Sequence, residues 1–209
     1  MRAVLLFATL FAISSAASDC GLVQIAMYPY YHDPEPAWRI TIHSDANVRF
    51  EESSVPIKTA SVVDLGEVTW TSSETEPERT LSLRKMQQLT ARLRELDLGV
   101  LGPEYSAQFS YYVPGETADV IVDGVLTHTI PAETTRVVTH GPTYELCANL
   151  GDVSAHTFVY APLSALDDED PPHPDRDAIE MIVAAWYHVL RATGPVHGIK
   201  AKMYRRYLE

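Results

Sequence analysis

Apolar and polar residues alternate along two short stretches, 38–43 and 48–51, that flank a turn-like Ser-Asp-Ala-Asn sequence. Successive side chains of a β-strand point to opposite faces, so this pattern predicts a hairpin with one buried face. A strand-forming stretch at 22–28 precedes the hairpin. The residues predicted to point inward are Trp38, Ile40, Ile42, Val48 and Phe50, and those predicted to point outward are Arg39, Thr41, Arg49 and Glu51.

A second hairpin is predicted at residues 118–130, where two strand-like stretches flank Asp123 and Gly124. An Asp-Gly pair readily adopts the positive φ angles that a two-residue primed turn requires. Weaker strand signals occur at 67–71 and 157–160. The chain is therefore expected to contain two antiparallel strand pairs and a few less regular strands.

Two other stretches have the periodicity of a helix. Residues 82–96 place Met86, Leu89, Leu93 and Leu96 at spacings of three and four, which forms one apolar stripe. Residues 177–192 form a similar stripe, and a Gly-Pro pair at 194–195 ends it. Both stretches are predicted to be amphipathic helices that bury one side.

These elements predict an α+β fold in which a single antiparallel sheet, built from the two hairpins, is packed by the first helix. The second helix is then expected to form a C-terminal helical extension. The predicted units are a signal peptide at 1–17, an α+β domain at 18–166, an acidic proline-rich linker at 167–176, and a C-terminal helix with a basic tail at 177–209.

The first seventeen residues have the layout of a secretory leader. Arg2 provides a positive start, an apolar run follows at 3–13, and small residues occupy 14–17. The run is shorter than the roughly 20 apolar residues that a membrane-spanning helix needs. We therefore expect a cleaved signal peptide and a secreted or periplasmic mature protein with no integral membrane segment.

The chain has two cysteines, Cys20 and Cys147. An exported protein meets an oxidising environment, which favours a disulfide between them. Two alternatives remain open at this point. The thiols could stay unpaired with one buried as a small apolar group, or Cys20 could carry a lipid anchor, although the acidic Asp19 before it disfavours lipidation.

The formal net charge of −12 makes nucleic acid an unfavourable partner, because the phosphates would repel the protein. Ten of the lysines and arginines nevertheless fall in two windows, 79–94 and 191–206. Arg84, Lys85, Arg92 and Arg94 are therefore candidates for contact with an acidic protein surface or an anionic envelope polymer. The alternative is structural, with the basic tail pairing with the acidic linker.

Motifs that carry a specific chemistry are scarce. The sequence contains neither a phosphate-binding glycine loop nor a nucleophile elbow. Ser82 and Lys85 match an S-x-x-K pattern, but the partner motifs of that enzyme class are only approximated. None of the eight histidines has metal-ligand spacing. We therefore expect no cofactor, no metal and no catalytic residues assignable from sequence.

The order of elements from Trp38 to Ile130 resembles that of a small exported bacterial domain of unknown function. The features that carry the resemblance are Cys20, the alternating stretch at 38–50, the Ser-x-x-x-Met-x-x-Leu-x-x-x-Leu helix, the Leu98–Tyr105 segment and the Asp-Gly hairpin. The layout is also similar to that of emfourin-type inhibitors of metalloproteases. Each resemblance covers about half the chain, and the second implies an inhibitor-like role.

The leader, the missing motifs and the resemblance together predict a non-catalytic domain that binds another macromolecule. The alternative is an envelope hydrolase whose site is assembled from dispersed carboxylates and histidines. A third hypothesis is an accessory structural protein of the envelope that is docked by its basic tail.

Overall fold

The computed structural model describes residues 20–29, 36–53, 68–122, 125–138, 141–167, 172–196 and 198–208. The predicted leader lies outside these residues, as do residues 168–171 of the predicted linker, and the predicted domain boundaries stay predictions. The strands are β1 (Val23–Tyr28), β2 (Trp38–Ile42), β3 (Asn47–Ser53), β4 (Trp70–Ser72), β5 (Arg79–Thr80), β6 (Glu104–Ser106), β7 (Phe109–Val122), β8 (Val125–Arg136), β9 (Thr143–Asn149) and β10 (Ser154–Tyr160). The α-helices are α1 (Leu83–Glu95), α2 (Pro162–Asp167) and α3 (Arg176–Thr193), and short 3-10 turns lie at Leu98–Val100, Ala201–Met203 and Arg205–Tyr207.

The predicted fold class is wrong, because the protein is mostly β and its strands form two separate sheets. Eight strands form a mixed sheet in the order β4-β3-β2-β1-β9-β10-β6, with β5 paired to β3. Only the β10–β6 pairing is parallel among those described for this sheet. The other sheet contains β7 and β8 alone. The second hairpin therefore does not join the first to make one sheet.

The first predicted hairpin is confirmed, but two of the residues predicted to face solvent are buried. β2 pairs with β3 so that Ile40 lies opposite Phe50, and all five residues predicted to point inward are buried. Thr41 and Glu51, which were predicted to face solvent, are also buried. Thr41 donates to Gln24 Oε1 at 3.2 Å, and Glu51 accepts from Arg39 Nε at 2.6 Å. Both buried polar groups therefore have hydrogen-bond partners, which allows the second face of the sheet to be buried here as well.

The helices cover the apolar face of the large sheet. α3 is not an extension of the fold but its central helix, because ten of its residues are buried. Trp186 stacks on Tyr144 of β9 with ring centroids 4.2 Å apart and donates from Nε1 to the carbonyl oxygen of Glu145 at 3.2 Å. α1 begins at the predicted cap, with Ser82 accepting from the backbone N–H of Lys85, and packs against α3 through Leu89 and Leu93. No helix in the described part of the chain is long and apolar enough to cross a membrane.

Cys20 and Cys147 form a disulfide, as predicted, with their Cα atoms 6.0 Å apart. Cys20 lies just before β1, and Cys147 lies on β9, which pairs directly with β1. Both residues are buried. The bond therefore fastens the start of the described chain to the centre of the sheet across a sequence separation of 127 residues.

Replacing both cysteines by alanine should lower the free energy of unfolding by about 4–5 kcal/mol, because the unfolded chain regains the entropy that closure of a long loop removes. Urea denaturation of the wild type and of the Cys20→Ala, Cys147→Ala variant measures the change. Reduction of the wild type should reproduce the loss and leave the variant unaffected. A loss below about 1 kcal/mol would contradict the expectation.

Candidate binding site

An open groove of about 490 Å³ lies between α1 and α3. Its α1 side carries Lys85, Gln88, Arg92 and Glu95, whose spacings of three and four place them along one side of the helix. Its α3 side carries His188, Arg191 and Ala192 in the last turns of that helix. The packing of Leu89 and Leu93 against α3 thus brings the two basic windows of the sequence together at this point.

The groove has a positive electrostatic environment. Lys85 Nζ donates to the carbonyl oxygen of Ala192 at 3.0 Å, which fixes the ammonium group near the C-terminal end of α3. Arg92 pairs with Glu95 at 2.7 Å, and Arg191 is exposed. The pKa of His188 lies below its usual value because the ring is partly buried and because Arg92 and Arg191 oppose its protonation.

The four basic residues singled out from the sequence do not form one site. Lys85 and Arg92 line the groove. Arg94 instead donates to the carbonyl oxygen of Leu150 at 3.1 Å and lies 3.9 Å from Asp152, and Arg84 is exposed on the first turn of α1. The role of these residues in partner binding stays a prediction.

The groove includes His188 and Arg191, which sequence reasoning did not choose. Arg191 opens the second basic window, which was the available signal. The rest of that window lies elsewhere, and Arg206 in it pairs with Asp167 at 2.9 Å, in line with the structural alternative considered for the tail. The sequence does not show which basic residue of this window lies in the groove, because that depends on the tertiary contact between α1 and α3.

The opposite face of the large sheet carries a hydrogen-bond network centred on the buried Glu145. His156 Nε2 lies 2.8 Å from Glu145 Oε1, and Gln24 Nε2 donates to the same oxygen at 3.4 Å. The Tyr28 hydroxyl donates to Glu145 Oε2. Thr41 extends the network by donating to Gln24 Oε1 at 3.2 Å. Neighbouring strands β2, β1, β9 and β10 are therefore joined by side chains as well as by backbone.

The protonation behaviour of this network follows from the buried carboxylate. Burial, and then the charge of Glu145, raise the pKa of the Tyr28 hydroxyl, so Tyr28 stays a neutral donor. The hydrogen bond to Glu145 raises the pKa of His156. Both oxygens of Glu145 accept hydrogen bonds, so its carboxylate is the structural centre of the network.

The paired strands β7 and β8, Phe109–Val122 and Val125–Arg136, are called the arm here. Among the described strands, β7 and β8 pair only with each other. At its base, the Phe109 ring packs on His173 with centroids 4.7 Å apart. His173 accepts from the Asp175 backbone N–H at Nδ1, so its Nε2 donates to the carbonyl oxygen of Ser106 at 2.7 Å. This buried histidine anchors the arm to the body of the protein.

The arm exposes apolar side chains. Five of the nine large apolar side chains exposed in the described ranges belong to it or adjoin it: Ile121, Val125, Leu126, Ile130 and Val137. Ile121 and Leu126 are cross-strand partners near the tip and are 64% and 55% exposed. Glu116, Asp119 and Glu133 lie along the same hairpin. The arm is thus an acidic ribbon with an exposed apolar tip.

Comparison with known proteins does not assign the chain to a family. No protein-family model matches the chain, and no curated protein matches it in sequence. The resemblances noted from the order of elements therefore stay predictions. Within the ranges covered by the structure, no three His, Cys, Asp or Glu side chains are grouped so that they could hold a metal ion.

The Glu145–His156 pair predicts a pH dependence of stability. The folded-state pKa of His156 is raised, so the pair's stabilisation is fully present below the unfolded-state value of about 6.5 and is lost as pH rises through the folded-state value. The free energy of unfolding of the wild type should therefore exceed that of His156→Gln most strongly at acidic pH. Urea denaturation of both proteins from pH 5 to pH 9 measures the difference, and a difference that grows with pH would contradict the assignment.

Proposed function

We propose that this protein is exported and acts by binding another protein, without catalysis, through the arm. The observation that carries the proposal is the exposed apolar tip formed by Ile121, Val125 and Leu126. Exposed apolar residues that cluster together mark interaction surfaces more often than isolated ones do. A two-stranded hairpin is also only marginally stable alone in water, so a bound partner would stabilise it.

The chemistry of the arm indicates the kind of partner. The outer edges of β7 and β8 present backbone N–H and C=O groups that an extended segment of another protein can pair with. The acidic residues Glu116, Asp119 and Glu133 favour a partner segment with basic side chains. We therefore propose a partner that adds a strand containing apolar and basic residues.

Two further observations are consistent with an extracellular or periplasmic setting. The disulfide between Cys20 and Cys147 suits an oxidising compartment. The N-terminal sequence has the pattern of a leader. Inhibition of a secreted protease is a narrower form of the proposal and has only the emfourin-like order of elements in its favour.

Replacing apolar side chains of the tip with serine should weaken partner binding without unfolding the protein. A photo-crosslinker placed at Val125 should yield one discrete adduct with an envelope or secreted protein of the producing cell. The affinity of that purified partner should fall by about tenfold or more in the Ile121→Ser, Leu126→Ser variant, because these side chains lie at the centre of the proposed contact. Isothermal titration calorimetry measures the affinity.

The matched control is Leu83→Ser, Val100→Ser, which removes two apolar side chains outside the arm that are at least as exposed as Ile121 and Leu126. It should bind as the wild type does. Both variants should keep their free energy of unfolding within about 0.5 kcal/mol, because all four side chains are exposed. Absence of any discrete adduct, or equal affinity of wild type and arm variant, would refute the proposed function.

A further inference from the structure

We infer that the groove between α1 and α3 binds a doubly charged tetrahedral oxyanion, a phosphate or sulfate group. The site is separate from the arm, so the inference does not depend on the proposed function. Three cationic side chains, Lys85, Arg92 and Arg191, line the groove against one carboxylate, Glu95. The resulting excess of two positive charges matches a dianion better than a single carboxylate.

The contacts of the lining residues leave donors for such a ligand. Lys85 uses one of its three N–H donors on the carbonyl oxygen of Ala192, and Arg92 uses Nη1 on Glu95. Both cations therefore keep N–H donors available for a ligand. A guanidinium group and an ammonium group are the side chains that proteins use to bind phosphate-type oxygens.

His188 is placed to respond to the ligand. The charged groups that face it are Lys85, Arg92 and Glu95 from α1 and Arg191 from its own helix, and its ring contacts Tyr187. Burial of the ring, and then the charges of Arg92 and Arg191, lower its pKa. A bound dianion offsets these charges, so binding should raise the pKa of His188, and protonation of His188 should strengthen binding by the same coupling.

The oxyanion could come from a free anion or from an anionic polymer. The groove is open at the surface, so both sources can reach it. Free sulfate keeps its double charge across the useful pH range and therefore separates the titration of His188 from that of the ligand. Inorganic polyphosphate is the matching probe for a polymer.

NMR titration of the His188 ring signals in full-length mature protein tests the inference. Added sulfate should raise the pKa of His188, whereas chloride at equal ionic strength should not. Sulfate affinity should increase as pH falls in the wild type and lose that dependence in His188→Gln. The affinity of polyphosphate, expressed per phosphate group, is then compared with the affinity of sulfate. A higher affinity for polyphosphate would assign the site to a polymer, and a higher affinity for sulfate would assign it to a free anion.

Charge-matched variants distinguish a site from general attraction. Arg191→Gln and Arg92→Gln should each weaken sulfate binding by about tenfold, as expected for loss of a charge-assisted hydrogen bond. Arg84→Gln removes the same charge from α1 outside the groove and should change binding by less than about twofold. An unmoved His188 signal, or equal weakening by Arg84→Gln and Arg191→Gln, would overturn the inference.

Discussion

The contact between Trp186 and β9 is the interaction on which the rest of the structure depends. Trp186 stacks on Tyr144 and donates to the Glu145 carbonyl oxygen, and its ring also packs edge-on against Trp38. These contacts fix α3 on the apolar face of the sheet. α1 packs on α3 in turn, so the position of the groove follows from the same contact. The Glu145 side chain organises the other face, which makes one residue of β9 important to both sides of the sheet.

Local periodicity predicted the elements that have one buried and one polar side. The 38–51 hairpin and the two amphipathic helices are of this kind, and each lies where the pattern placed it. β9 was missed because its second face carries Glu145 and Cys147, a buried acid and a disulfide cysteine, so it lacks the apolar–polar alternation of a half-exposed strand. The burial of Thr41 and Glu51 was missed because it depends on hydrogen bonds across neighbouring strands, from Thr41 to Gln24 and from Arg39 to Glu51, which the alternation within one strand does not indicate.

The separation of the second hairpin from the large sheet also lay beyond local reasoning. The Asp-Gly pair in the sequence predicted that the strands on either side of it pair, and β7 and β8 do, but such a signal concerns only those two strands. The candidate groove shows the same limit. Lys85 and Arg92 were recognisable as exposed cations on a helix, whereas the approach of His188 and Arg191 depends on packing between residues about 100 positions apart.

The placement of the two cysteines has a consequence for biosynthesis. A chain that emerges N-terminus first presents the Cys20 thiol 127 residues before its partner. During that interval the thiol has no correct intramolecular partner, so it is open to mixed disulfides with other proteins or with small thiols. Once Cys147 emerges, however, only one internal pairing exists, and oxidation needs no reshuffling. Folding in the cell therefore requires protection of the unpaired Cys20 thiol rather than isomerisation of incorrect internal disulfides.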